Sequence, residues 1–301
     1  MTLQELQRLL RTGKADKARY KEYALLCHPD LADDPDLARS VFVELQNFME
    51  DKPLCILKGK QTYKVLSKIA EGSLSDIYRC DNNITLKVGL RERDGRRIKN
   101  EFATLEALKT DSIYGRLFPK PVELLKVDRR DAAAYVFEEP IAPLAHWGKL
   151  PGHHIAWIAK RTLMALGHAH SLGYCHGCLD ASHILITYES HGVVLCGWGF
   201  SSKIGSSTDG LPKMDRHKDS PLTSGTDIYM MASTLKNALD DSDKSKRLAG
   251  FFDTCLVSQK FRPNYAWDLH DELDAYLRRI FGSPKFVELK FFHKGFSNGS
   301  F

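Results

Sequence analysis

Between Gly173 and Ile186 the chain reads GYCHGCLDASHILI, which gathers Cys175, His176, Cys178, Asp180 and His183 in one short stretch. These residue types support three kinds of chemistry. A thiolate beside an imidazole makes a nucleophilic pair, here Cys178 with His183. Thiols and imidazoles together hold a soft metal, with Cys175, His176 and Cys196 as further ligands. A loop carboxylate acts as a general base, the role open to Asp180. Each reading has a plainer counterpart. Neighbours in a tight loop or strand point in different directions, Cys175 and Cys196 read as small buried apolar residues, and Asp180 reads as a cap on its own turn. The plainer readings are preferred, and no metal is expected.

Two other sets of residues have chemical meaning. The tripeptide His28-Pro29-Asp30 follows a basic segment carrying Lys14, Lys17, Arg19 and Lys21. Pro29 stops the preceding helix and sets two polar side chains on a rigid turn, while the lysines and arginine face an acidic partner. Cys27 beside His28 suggests no metal, since no second ligand pair lies nearby. Further on, Lys87 falls in a strand-like run and Glu101 in the helix-like run after it, an arrangement that lifts them above ordinary surface charges.

The elements that must position these residues follow from hydrophobic period. Residues 2–12 and 14–27 read as helices, CHPDLADDPD as a loop, and Pro35 to Glu50 as a helix with Leu37, Val41, Leu45, Phe48 and Met49 on one face. From Tyr63 the period becomes two, predicting strands at YKVLSKIA, DIYRC, ITLKVGL, PVELLKV and AAYVFEE, with a helix over 96–109. A long amphipathic helix then closes at Gly173. Short strands HILIT and GVVLCG follow, then a polar stretch from Ser201 to Ser224 and helices near 226–240, 246–257 and 266–280.

Composition narrows the class without naming it. The 301 residues are 43% hydrophobic and 27% charged, with a net charge of +5 that does not call for nucleic acid. Seven scattered cysteines without a paired framework predict free thiols in a reducing compartment. No apolar run of about 18 residues spans a membrane, and the N-terminus is too polar for a signal peptide. A cytoplasmic protein without membrane contact is expected.

The His28-Pro29-Asp30 loop between a basic and an amphipathic helix resembles that of a J-domain, although the first helix is short and the family's aromatic signature is missing. The resemblance implies that this loop, with Lys17, Arg19 and Lys21, engages the ATPase of a DnaK-type chaperone.

From about residue 61 to 281 the chain resembles the protein-kinase fold. IAEGSLSDIY matches the glycine-rich loop, with Gly72 retained and Ala70 and Ser75 in the outer glycine positions. Lys87 and Glu101 match the strand lysine and its helix glutamate, Glu138 and Glu139 before Pro140 the adenine hinge, Asp227 the anchor of the catalytic loop, and Arg262 the structural arginine. Laid on H-R-D-x-x-x-x-N, the loop puts His176 on the structural histidine, Cys178 on the catalytic Asp and His183 on the metal-binding Asn. The His-Gly pair is similar to the aminoglycoside-phosphotransferase branch. Gly197-Trp198-Gly199 stands where D-F-G belongs. The base and both metal ligands are therefore missing.

An α+β protein is expected: a J-domain-like helical module at 1–55, a bilobal protein-kinase-like domain without normal catalytic parts at 56–283, and a tail at 284–301. The resemblances imply a regulatory co-chaperone that recruits a DnaK-type chaperone and binds a client protein or nucleotide, with no required cofactor and ATP bound with weak or no magnesium dependence. The alternatives are an active atypical ATP-dependent phosphotransferase using Lys87, Glu101 and Asp180, and a purely structural interaction protein.

Overall fold

The computed structural model describes residues 1–11, 15–49, 54–109, 111–137, 141–187, 190–207 and 221–289. It is a mixed α and β structure that divides into two compact units, one from the described residues of 1–98 and 122–138, the other from those of 99–121 and 139–291.

In the first unit, α1 (Leu3–Arg11), α2 (Tyr20–Leu26) and α3 (Pro35–Met49) share a hydrophobic core. Local chemistry sets their ends. Thr2 and Glu5 exchange backbone-to-side-chain hydrogen bonds of 2.7 and 3.1 Å at the start of α1, a capping box. Asp34 accepts the Leu37 N–H at 3.0 Å ahead of Pro35, whose ring suits the first helical position. The helix expected over 14–27 is divided: Asp16 accepts the Ala18 N–H and starts a 3-10 turn at Lys17–Arg19 before α2. Leu6, Leu10, Tyr23, Cys27, Val41 and Leu45 are buried together, with Leu37, Phe48 and Met49 packed at the margin. Leu6, Val41 and Leu45, fully buried, contribute about 1.5–3 kcal/mol each.

Six strands of the same unit form one sheet in the order β1-β2-β3-β4-β6-β5, from β1 (Cys55–Lys58), β2 (Thr62–Glu71), β3 (Ser75–Cys80), β4 (Ile84–Gly89), β5 (Lys120–Val127) and β6 (Arg130–Val136). The pairings from β1 through β4 to β6 are antiparallel. The β3–β4 connection carries Asn82 and Asn83 at φ 55° and 57°, a backbone region that asparagine tolerates. Tyr63, Val65, Cys80, Ile84, Leu86, Val88, Ala132 and Ala134 form the core of the sheet. Between β4 and β5 runs α4 (Gly95–Leu108). The sequence pattern misses β1 because it is an edge strand with little burial and so no alternation.

The second unit is built on α5 (Gly152–Ser171), which lies against α6 (Ser224–Asn237), α7 (Asp243–Asp253) and α8 (Ala266–Phe281). Beside them β7 (Ile141–Pro143), β9 (Ile184–Thr187) and β10 (Val193–Leu195) pair in the order β10-β9-β7, while β8 (Tyr174–Cys175) pairs with β11 (Ser202–Lys203). The loop of interest therefore leaves β8 and enters β9. Among the described residues no helix is long and apolar enough to cross a membrane.

Candidate functional site

The loop from His176 to His183 is held from beneath by one carboxylate. Asp227, at the start of α6 and fully buried, accepts the His176 N–H at 2.7 Å and the Gly177 N–H at 2.9 Å. Its Oδ2 also meets Nε2 of His170 at 2.9 Å. Asp227 sits in the first turn of its helix, where a carboxylate suits the helix dipole, and His170 stands in the last turn of α5. The sequence points to Asp227 but gives no sign of His170.

His170, Cys175 and Asp227 are also the described residues whose ligand atoms come within 4.8 Å of one another. This is not the expected grouping of Cys175 with His176, Cys178, His183 or Cys196. The trio reads as an anchor rather than a metal centre. Three donors already occupy Asp227, leaving about one lone-pair direction, and burial together with the Asp227 charge pushes the Cys175 thiol up, toward its protonated form.

His176 is buried with its ring fully engaged. Nδ1 accepts the Cys178 N–H at 3.3 Å, so Nε2 carries the proton that is donated to the Cys196 carbonyl at 2.8 Å. Burial holds its pKa down at about 4, with His183 adding to the effect. Trp198 closes the stack from the other side. Its ring meets His176 edge-on at 4.6 Å and Phe118 at 5.6 Å, and its indole N–H donates to the Leu195 carbonyl at 2.8 Å.

At the position expected for a metal-binding carboxylate, Gly197 has φ 84°, a conformation that favours glycine. The imidazole of His183 lies directly over it. A Cβ added to Gly197 would stand 2.2 Å from Cδ2 and 2.6 Å from Nε2 of that ring. The two positions thus share one volume. Strand register brings this about, since Ile184 pairs with Leu195 and the Cys196 N–H donates to the His183 carbonyl at 3.0 Å.

Asp180 behaves as a cap. Its Oδ1 accepts the Ser182 N–H at 2.8 Å and the Ser182 hydroxyl, and it lies 3.4 Å from Nδ1 of His183. Cys178 is buried.

Asn100 and Thr104 on α4 were not anticipated. The Asn100 amide donates to the carbonyls of Gly199 at 3.1 Å and Ser201 at 2.9 Å, and Thr104 bonds the Ser201 hydroxyl at 2.7 Å. They fix the turn that follows Gly197. Arg262 is buried, stacks on the Tyr229 ring at 4.1 Å and donates to the Val257 carbonyl at 2.8 Å.

In the first unit, Gly72 is exposed in the β2–β3 turn, where its N–H donates to Ser75 at 2.8 Å; a Cβ there would come 2.9 Å from that same carbonyl oxygen. Lys87 lies on β4, in register with Ile77 and Ala133. Glu101 of the second unit is buried on α4. The expected hinge of Glu138, Glu139 and Pro140 lies outside the described residues, as does Lys14.

His28, Pro29 and Asp30 occupy the turn between α2 and α3. The His28 and Asp30 side chains are 46% and 88% exposed, and the Asp30 N–H donates to Nδ1 of His28 at 3.3 Å. Lys17, Arg19 and Lys21 are exposed. Arg19 is bound on two nitrogens by Glu22, so the positive face expected there is partly neutralised.

Set against models of known protein families, the chain matches none.

Proposed function

We propose that this chain is a regulatory adaptor. A J-domain-like helical module recruits a DnaK-type chaperone in the cytoplasm, and a kinase-like module lacking the phosphotransfer groups holds a client protein. The observation that carries the reading is the exposed His28-Pro29-Asp30 turn, pinned between helices that possess a hydrophobic core of their own. A polar turn held rigid in this way presents its side chains with little ordering cost, which is what recognition by a folded partner requires.

The kinase-like reading draws its support from different residues. Asp227 grips the backbone of the His176–Gly177 loop, Lys87 sits on an inner strand, and Arg262 is buried against Tyr229. Cys178, His183 and Gly197 supply neither the carboxylate base nor the oxygen ligands that phosphoryl transfer uses.

The test is the steady-state ATPase rate of a DnaK-type chaperone with the full chain added. A several-fold rise that His28→Gln abolishes supports the proposal. An unchanged rate with the wild-type chain leaves an interaction protein without a chaperone role, and autophosphorylation lost with Lys87→Ala would restore an enzyme.

A further inference from the structure

The kinase-like reading implies a magnesium ion held by the residues at positions 183 and 197, and the residues present do not fit one. Magnesium demands near-octahedral oxygen coordination at about 2.0–2.1 Å. Gly197 offers no side-chain oxygen, and His183 offers an imidazole, a ligand better matched to softer metals. Beyond the missing ligands, the space itself is taken, because the His183 ring stands where any side chain of residue 197 would begin.

The ring is held in that place. The His183 N–H donates to the Asp180 carbonyl at 3.1 Å, its own carbonyl accepts the Cys196 N–H at 3.0 Å, and its Nδ1 lies 3.4 Å from the Asp180 carboxylate. The backbone bond to Cys196 keeps residue 183 beside Gly197 whatever the side chains do. His176 flanks the ring at 5.5 Å.

Resting on that kinase-like reading, we infer that His183 takes the place of the divalent cation, so that this loop has no magnesium or manganese site and a polyphosphate anion reaching it is bound in its metal-free form. An imidazole N–H donates one hydrogen bond to a phosphate oxygen and carries at most one positive charge. It therefore orients such an anion without the bridging that a cation gives to transfer. Positions 183 and 197 form a matched pair, and changing either one alone does not rebuild a metal site.

The experiment compares wild type, Gly197→Asp, His183→Asn and the double variant, by thermal melting with and without manganese and by ATP titration in EDTA or in magnesium. Wild type is expected to melt at the same temperature with manganese, and any ATP affinity to change less than about twofold between buffers. Gly197→Asp alone melts lower and gains no metal response. Adding His183→Asn recovers the part of that loss that the ring causes, the strain of a side chain at φ 84° remaining, and confers metal-dependent binding of about tenfold or more.

Manganese stabilisation of wild type, or a metal response in Gly197→Asp at unchanged melting temperature, overturns the inference. If no variant binds ATP but the melting losses at 183 and 197 remain coupled, the nucleotide reading fails and the exclusion stands. Additive losses overturn the exclusion whatever ATP does.

Discussion

Asp227 lies 51 positions after His176 in the chain, yet its carboxylate accepts the His176 N–H at 2.7 Å. With Gly177 and His170 also on this group, one fully buried carboxylate ties the start of the loop to the end of α5.

Asp227→Ala removes three hydrogen bonds from a buried charge, each worth about 1.5–3 kcal/mol. The variant is expected to lose at least about 3 kcal/mol and to melt several degrees lower, read by urea and thermal denaturation. Asp227→Asn is expected to lose less, because it keeps an acceptor oxygen. Equal stability of Asp227→Ala and wild type would refute the anchoring role.

Acid should weaken the fold through two histidines. Burial depresses the pKa of His176 and His154 to about 4 from an ordinary 6.5. Down to about pH 4 both rings stay neutral in the folded state while the unfolded chain takes up protons, so their contribution to stability falls as pH drops from about 6.5 and is lost by about 4. Each group contributes up to about 3 kcal/mol of this loss. Urea midpoints measured from pH 7 to pH 4 should show it, and His176→Asn should flatten the curve. A flat wild-type profile would contradict the assignment.

Thiol labelling ranks the seven cysteines by access. Cys55 is exposed and should react first with a maleimide, Cys196 next, and the buried Cys27, Cys80, Cys175, Cys178 and Cys255 only after denaturant is added. Peptide mass spectrometry reads the order. Labelling of Cys178 ahead of Cys55 would revive a nucleophilic thiolate in the loop.

The alternation in YKVLSKIA and ITLKVGL reveals β2 and β4 because one face of each is buried, and the amphipathic spacing in α3 and α5 does the same for helices. The edge strand β1 buries too little to leave a pattern. Asp227 was expected only through the resemblance of TDIYMMASTL to a helix that anchors a catalytic loop. His170 and Asn100 were not, because their partners lie 57 and 101 residues away and nothing local marks either residue. The overlap of His183 with Gly197 depends on the β9–β10 register, which composition and spacing do not encode.

Trp198 gives the loop an optical signature. An indole sealed from water emits toward the blue, and this one has a titrating imidazole 4.6 Å from its ring. A protonated imidazole quenches indole emission, so Trp198 dims as His176 takes up its proton. Trp147, Trp157 and Trp267 share the emission, so a variant that keeps Trp198 alone isolates the light that follows the charge state of His176.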